Sequence, residues 1–235
     1  MKPVAICRYA AHEGPGYFAT YLSNRKIPWR VVKIDEGETL PAVGEISGLA
    51  MMGGAMSVND ELPWIAPMLE LVRQSVRADV PVIGHCLGGQ MLAKALGARV
   101  TANPVKEIGW GRVEVSPTPL AHRWGPAESF TSFHWHGETF ELPVGATRIW
   151  SSAHCANQAF VLGYSIGMQC HVEMTQEMIE AWCKTGRREI ERSVKRSPVV
   201  QTVDEISDDM PAKLQSLHTV ADSVYTQWIA GLERA

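Results

Sequence analysis

The sequence predicts an α/β fold: a mostly parallel central sheet with helices on both faces, followed by further helices toward the C-terminal end. Three observations lead there. Short apolar runs recur at the length of buried strands, they alternate with segments of helical periodicity, and one strand runs straight into a glycine-flanked cysteine that opens a helix. Parallel neighbours in a sheet need a crossover between them, so strand–helix alternation is the pattern such a sheet requires. The 235 residues suit one generous domain or a domain with an appended subdomain.

The elements follow in order. Residues 4–9 are apolar and end in turn residues, which reads as a buried first strand. A helix from Tyr17 to about Arg25 separates it from a second strand at residues 29–34. Residues 46–52 form a third apolar run that stops at the pair Gly53-Gly54. Next, Ile65, Met68, Leu69, Val72 and Val76 recur at the spacing of one helix face, with Pro63 in the first turn and Asn59 or Asp60 as cap. A fourth strand, residues 80–85, leads into Cys86 and a helix over 87–96, with Gly97 at its C-cap. Between Ile108 and about Gly167, valine-, phenylalanine- and tryptophan-rich segments are broken by Pro117, Pro119, Gly137, Pro143 and Gly145. That stretch is the less regular, strand-rich half of the same domain. Residues 175–184 look helical, 187–196 are highly charged, and Leu214, Leu217, Ala221, Val224 and Trp228 mark an amphipathic helix. The expected division is a domain over residues 1–190 and a helical extension over 191–235 that packs on or near it.

Composition narrows the function classes. The chain is 46% hydrophobic and 20% charged, with a formal net charge of -3. There is no basic field for nucleic acid and no polybasic membrane signal. No apolar run approaches a membrane span, and the first residues lack the apolar core and cleavage site of a signal peptide. Five cysteines, an odd count with no CxxC pair, fit reduced thiols better than a disulfide framework or a zinc site. The expected location is the cytoplasm.

The most informative segment is Gly84-His85-Cys86-Leu87-Gly88-Gly89-Gln90, a G-x-C-x-G form with strand before and helix after. That context is what a nucleophile elbow requires. Glycines at 84 and 88 remove side chains that would collide in so tight a turn, and the thiol is exposed at the carboxyl edge of the sheet. A helix N-terminus favours thiolate, and the Leu87 N–H is placed to hold an oxyanion on a carbonyl attacked by Cys86. Cysteine chemistry also needs a base. Of eight histidines, His171 follows a strand-like run and precedes Glu173 by two residues, which puts both side chains on one side of an extended backbone. The carboxylate can then fix the imidazole's tautomer and stabilise its protonated form.

In these motifs, and in their order, the sequence resembles the class I glutamine amidotransferases over roughly residues 1–180. The family's GxCxGxQ is matched by Gly84, Cys86, Gly88 and Gln90, and its HPE by His171, Val172 and Glu173. The resemblance implies a flavodoxin-like α/β fold, a triad of Cys86, His171 and Glu173, and no cofactor. Gly53-Gly54-Ala55-Met56-Ser57 resembles the family's GGP-type loop, so Gly54 would complete an oxyanion hole with Leu87. Gln90 would contact the amino-acid end of the substrate. Asn157-Gln158-Ala159-Phe160 resembles the NHGF-like stretch, which would place Asn157, Ala159 and Phe160 at the same end. His134-Trp135-His136-Gly137-Glu138 resembles the WHGD segment of stand-alone members similar to the amidotransferase domain of GMP synthase. With no acidic or cysteine ligand set nearby in sequence, the HxH pair reads as a loop supporting the site and not as a metal site. Departures are Val172 for proline, Gly89 for histidine, Ala55 for proline and Ala159 for glycine. None removes a triad member.

The implied activity is hydrolysis of the glutamine side-chain amide through a cysteine thioester, giving glutamate and ammonia. No P-loop or nucleotide fingerprint is present, so a separate synthase would have to accept the ammonia. Two alternatives stay open: a free-standing γ-glutamyl hydrolase or peptidase using the same triad, and an inactive regulatory or binding subunit.

Overall fold

The computed structural model describes residues 1–126 and 128–232. Four strands occupy the first part of the chain: β1 (Val4–Arg8), β2 (Trp29–Lys33), β3 (Gly48–Met51) and β4 (Val82–His85). Helix α1 (Gly16–Asn24) joins β1 to β2, and α2 (Ile65–Arg77) joins β3 to β4. Helix α3 (Leu87–Ala95) begins at the residue after Cys86. The strand-rich stretch supplies β5 (Val100–Val115), β6 (Phe130–Phe140), β7 (Thr147–Ser151), β8 (Ala159–Leu162) and β9 (Ser165–Met168), with the short helix α4 (Pro119–Arg123) after β5. The chain then turns helical, through α5 (Gln176–Thr185), α6 (Arg187–Ser193), α7 (Val203–Ser207) and α8 (Met210–Ile229).

All nine described strands share one sheet in the order β2-β1-β3-β4-β9-β8-β7-β5-β6. Pairings from β2 to β9 are parallel, and those from β9 to β6 are antiparallel. The parallel half carries the helix crossovers expected from the sequence. The antiparallel half is the irregular stretch, where short connections suffice. Strand β4 lies inside the parallel half, so the turn after it opens at the carboxyl edge.

Alternation along the strands divides the core into two layers. Val4, Ile6, Ala50 and Ile83 face one side, where they meet Phe18 of α1 and the apolar stripe of α8. Ala5, Cys7, Leu49, Met51 and Val82 face the other, against Met68 and Val72 of α2 and Leu92 of α3. Helices α1 and α8 therefore cover this side of the parallel sheet together. Trp228 sits edge-on to Phe18 with ring centroids 5.5 Å apart, and Tyr225 does the same at 4.8 Å. Gly48 makes room for it: a Cβ there would lie 2.8 Å from the Trp228 ring.

Helix ends show where local sequence decides structure and where it does not. Gly97, at φ +90°, closes α3 with paired bonds from Gly97 N–H to Lys94 O and Ala98 N–H to Ala93 O, a Schellman-type ending. Thr175 caps α5 by accepting from the Met178 N–H at 3.3 Å. The cap expected for α2 is absent. Its N-cap is Trp64, with no side-chain bond. Asn59 donates instead to Val100 O, and Asp60 accepts from the Ser57 N–H. Tertiary and loop partners took both candidate caps. Among the described residues no helix is long and apolar enough to cross a membrane.

Trp228→Ala is expected to cost about 3–5 kcal/mol in chemical denaturation, the range for emptying a buried aromatic site. Val144→Ala, at an exposed position, is expected to stay within about 0.5 kcal/mol of the parent.

Candidate active site

The backbone at Cys86 has φ 50° and ψ −106°, a region that non-glycine residues rarely occupy. Holding it there costs on the order of 1–3 kcal/mol, so the surroundings must over-determine it. They do. The Cys86 N–H donates to Met168 O of β9 at 2.8 Å, and the Cys86 carbonyl accepts from the Gln90 N–H at 3.0 Å. A Cβ at Gly84 would lie 2.3 Å from the Gly88 backbone, and one at Gly88 would lie 2.2 Å from Met51 O. Both contacts are with backbone, which cannot give way. The glycines therefore let α3 start hard against β3 and β4, and the thiol projects beyond the sheet. All five cysteines are free and buried, but burial pushes Cys7 and Cys170 up to about 12, as inert core thiols. Cys86 lines the cavity at the strand ends.

His171 and Glu173 follow β9. The His171 N–H donates to Phe133 O at 2.8 Å and Ser132 Oγ donates to the His171 carbonyl at 3.3 Å, which pins this segment to β6. His171 Nδ1 lies 2.6 Å from Glu173 Oε1, with both side chains almost fully buried. Burial opposes the charged imidazole, yet the charges of Glu173 and Cys86 and their hydrogen bonding outweigh it and raise the ring well above its usual 6.5. Burial would likewise raise the Glu173 carboxyl, but His171 and His85 hold it down at about 2. Nε2 of His171 has no well-formed hydrogen bond, which leaves it free on the side of Cys86. Gly53 fits between the two: a Cβ there would lie 3.2 Å from His171 Cε1 and 4.0 Å from Cys86 Cβ.

Supporting groups complete the arrangement. The Trp182 ring stands edge-on to His171, centroids 5.0 Å apart, and its Nε1–H donates to His12 O at 2.9 Å. His85 Nε2 lies 3.8 Å from Glu173 Oε2 and 3.3 Å from the Tyr225 hydroxyl of α8. Burial lowers the pKa of His85, and the facing Glu173 carboxylate opposes that fall. Gln169 Nε2–H reaches Cys86 Sγ at 3.5 Å.

A cavity of about 570 Å³ opens over Cys86 and His171. Gly54 lines it, and a Cβ at Gly54 would lie 2.5 Å from Leu87 Cδ2, so the two positions adjoin. Among the described residues, neither the Gly54 nor the Leu87 N–H is used by a loop, cap or side-chain hydrogen bond. Gln90 lines the cavity, and its Nε2–H donates to Gln169 Oε1 at 3.1 Å. Asn157, Ala159 and Phe160 are not brought there. Asn157 donates to Phe140 O at 2.8 Å, while Ala159 and Phe160 are core residues of β8, the Phe160 ring resting over Gly167. His136, Gly137 and Glu138 form part of the cavity wall instead. Sequence reasoning missed Glu13 and Trp182, which also line it. The signal for Glu13 was available: it follows the first strand, at the same sheet edge as Cys86.

His134 and His136 do have an acidic neighbour. The β5–β6 register sets Glu107 opposite His136, and ligand atoms of Glu107, His134 and His136 all lie within 4.8 Å of one another. Antiparallel pairing delivers this carboxylate from a distant position, which is why proximity in sequence did not reveal it. Protein groups already engage it: Gln158 Nε2–H at 3.1 Å, Ser152 Oγ–H at 3.4 Å and His136 Nε2 at 3.1 Å. His136 Nδ1–H donates to Glu138 O at 2.9 Å. Both carboxylate oxygens have a donor, but among the described residues His136 Nε2 and Gln158 Oε1 have no well-formed hydrogen bond, so the buried network that braces the hairpin is only partly satisfied.

Known proteins resemble this chain in sequence and in fold. A family model described as glutamine amidotransferase class-I matches residues 17–215. The glutamine amidotransferase-like protein YfeJ of Salmonella typhimurium is 31% identical over 77% of this chain and 80% of its own length. A glutamine-hydrolysing GMP synthase of Bacillus pumilus is 31% identical over 54% of this chain, a match that spans 24% of that enzyme. A crystal structure of a glutamine amidotransferase from Methylobacillus flagellatus superposes with TM-score 0.96 at 45% identity, covering 98% of this chain and 95% of the other. One from Thermotoga maritima gives TM-score 0.86 at 27% identity, covering 97% and 98%. The chain belongs to the class-I glutamine amidotransferase family.

Proposed function

We propose that the protein hydrolyses the side-chain amide of glutamine to glutamate and ammonia, with Cys86 as nucleophile, His171 as acid and base, and Glu173 as the group that orients His171. The observation that carries this reading is the 2.6 Å contact between His171 Nδ1 and Glu173, on a ring whose other nitrogen is left free beside the thiol at the strained turn.

In the first step the Cys86 sulfur, its proton on His171, attacks the amide carbonyl. The oxyanion is held by the N–H groups of Leu87 and Gly54. Removing one such donor typically costs on the order of 10²–10³ in rate. The tetrahedral species collapses as the C–N bond breaks, and His171 Nε2 gives its proton to the leaving nitrogen. Ammonia and a γ-glutamyl thioester result. Water enters, His171 takes a proton from it, and hydroxide adds to the thioester. Collapse releases the new carboxylic acid, which loses its proton to solvent as glutamate departs, and leaves the Cys86 thiolate beside protonated His171, the state from which the first step began. Gln90 contacts the amino-acid end of the substrate. No step draws on a metal or cofactor.

Residues 1–190 form the catalytic domain in this reading, and 191–235 an extension whose last long helix braces it through Tyr225 and His85. The protein is proposed to act in the cytoplasm and to pass ammonia to a separate synthase, a role that the resemblance to part of GMP synthase supports. A second reading, hydrolysis of larger γ-glutamyl amides, has its own support. The cavity of about 570 Å³ falls within the roughly 300–1,000 Å³ that holds drug-sized ligands, more room than an amide and a glutamate skeleton fill.

Cys86→Ala is expected to abolish release of ammonia from glutamine while the melting temperature stays close to that of the parent. Undiminished turnover in the variant would remove Cys86 from the mechanism. A panel of γ-glutamyl amines and dipeptides assayed beside glutamine decides between the two readings: activity on the panel with none on glutamine favours the second.

Glu173→Gln is expected to lower kcat by on the order of 10³–10⁴ by releasing the tautomer control on His171. It also has a pH signature in stability. Glu173 titrates below its ordinary 4.5 and His171 above its ordinary 6.5, so the pair's contribution is fully present between those values. It is lost as pH falls from 4.5 toward 2. The stability gap between parent and variant, read by denaturant titration, should be widest near pH 5–6 and narrow with acid. A gap that does not change with pH would show that the two side chains do not form an ion pair.

A further inference from the structure

The cavity holds a carboxyl group that the mechanism above leaves unused. Glu13 lies in the connection between β1 and α1, on the same sheet edge as Cys86, and is 7% exposed. Its Oε2 sits beside Gly53, where a Cβ would be 2.9 Å from that oxygen and 3.2 Å from His171 Cε1. Among the described residues no side chain or backbone N–H donates a hydrogen bond to this carboxyl. The side chain it meets is the half-exposed His12 ring, with Nε2 at 3.7 Å from Oε1. Burial pushes the carboxyl up to about 7, with His171 opposing the rise and Glu173 adding to it. A nearly buried carboxyl without a donor is unfavourable for folding, and such groups concentrate where a ligand supplies the missing partner.

The ligand atom that fits is set by what surrounds Glu13. Gly54 and Leu87 bear the N–H groups assigned to the oxyanion, and Gln90 serves the amino-acid end. Glu13 Oε2 borders the space over Gly53 together with His171 Cε1. The adjacent His12 carbonyl anchors Trp182, whose ring abuts the His171 ring. The leaving nitrogen must come within reach of His171 Nε2 to be protonated, and it is the part of a γ-carboxamide that carries N–H donors. A carboxylate beside that imidazole is the complementary acceptor.

We propose that Glu13 binds the departing nitrogen of the scissile amide, accepting an N–H hydrogen bond from the bound carboxamide and then from the ammonia or amine released. The proposal rests on the hydrolytic reading above. His171 still supplies the proton that the nitrogen gains when the C–N bond breaks, and Glu13 transfers none. The role makes the site selective for leaving groups that carry N–H. The charged and titratable groups facing Glu13 are His12, His171, Glu173 and Cys86.

The test compares Glu13→Gln with the parent on three substrates: glutamine, the γ-methyl ester of glutamate, and the amide of pentanedioic acid that lacks the α-amino group. A charged acceptor is replaced by a neutral carbonyl, so at about pH 8 kcat/KM on both amides should fall by about tenfold while the ester, whose leaving oxygen has no N–H, changes by about twofold or less. Equal loss on amide and ester overturns the proposal. So does a loss that persists on the ester and vanishes on the amide lacking the α-amino group, which would make Glu13 the binder of the α-ammonium. A parent inactive on all three substrates would instead refute the hydrolytic reading, and this proposal with it.

Melting temperature gives a second readout that does not depend on turnover. The folded-state value near 7 lies above the ordinary 4.5, so the folded parent binds the extra proton between them and loses stability as pH rises through that range. Glu13→Gln lacks this loss. Its melting temperature should equal or exceed the parent's, by a margin that grows from about pH 5 to about pH 8. A variant less stable than the parent at every pH would mark Glu13 as structural and overturn the proposal.

Discussion

The backbone at Cys86 is held at φ 50°, and much of the surrounding sequence exists to permit it. A residue with a Cβ does not adopt that conformation unaided. It is fixed by a hydrogen bond to β9 on one side and the first turn of α3 on the other, with Gly84 and Gly88 giving up side chains so that helix and strands can touch. Any relaxation of the turn would swing the sulfur back toward the core, where Cys7 and Cys170 show what becomes of a thiol: burial keeps it protonated and inert. The strain at Cys86 and its place on the cavity wall are two consequences of one local geometry.

The second constraint is electrostatic and runs through the sheet. Glu173 and His171 are both almost fully buried, a costly placement for two ionisable groups unless each offsets the other's desolvation. Their opposed shifts, one below the ordinary carboxylate range and one above the ordinary imidazole range, express that mutual dependence. Behind them His85, the residue before Cys86, faces the far oxygen of Glu173 and is itself contacted by Tyr225 from α8. The helix that helps to cover one face of the sheet therefore also fixes the back wall of the site. This explains why so much apolar surface near the C-terminal end is spent on a helix far from the cysteine in sequence.

Legibility from sequence follows the range of the interactions. The elbow was readable because strand, glycines, cysteine and helix are contiguous, and the turn is dictated locally. His171 and Glu173 were readable as a pair because alternation in an extended segment acts over two residues. What escaped were contacts that only sheet topology creates. Glu107 meets His136 across an antiparallel register, so an HxH without an acidic neighbour in sequence acquired one in space. Glu13 reaches the cavity beside the His171 ring from beyond the end of β1, two strands away from β4 in the sheet order. Asn157, Ala159 and Phe160 show another effect of topology: the Asn157 side chain is engaged by Phe140 O, and Ala159 and Phe160 are buried in β8, so none of the three lines the cavity. The caps proposed for α2 failed because Asn59 and Asp60 found better partners in neighbouring loops.

The account depends on a covalent bond forming between the Cys86 sulfur and a γ-glutamyl group. The most direct measurement is intact-protein and peptide mass spectrometry on enzyme quenched in acid during turnover of glutamine. The account predicts a mass increase of one γ-glutamyl group, carried by the peptide that contains Cys86 and lost when the enzyme is left to consume its substrate. An enzyme that releases ammonia while every cysteine peptide stays unmodified, or that carries the adduct on another residue, would contradict it.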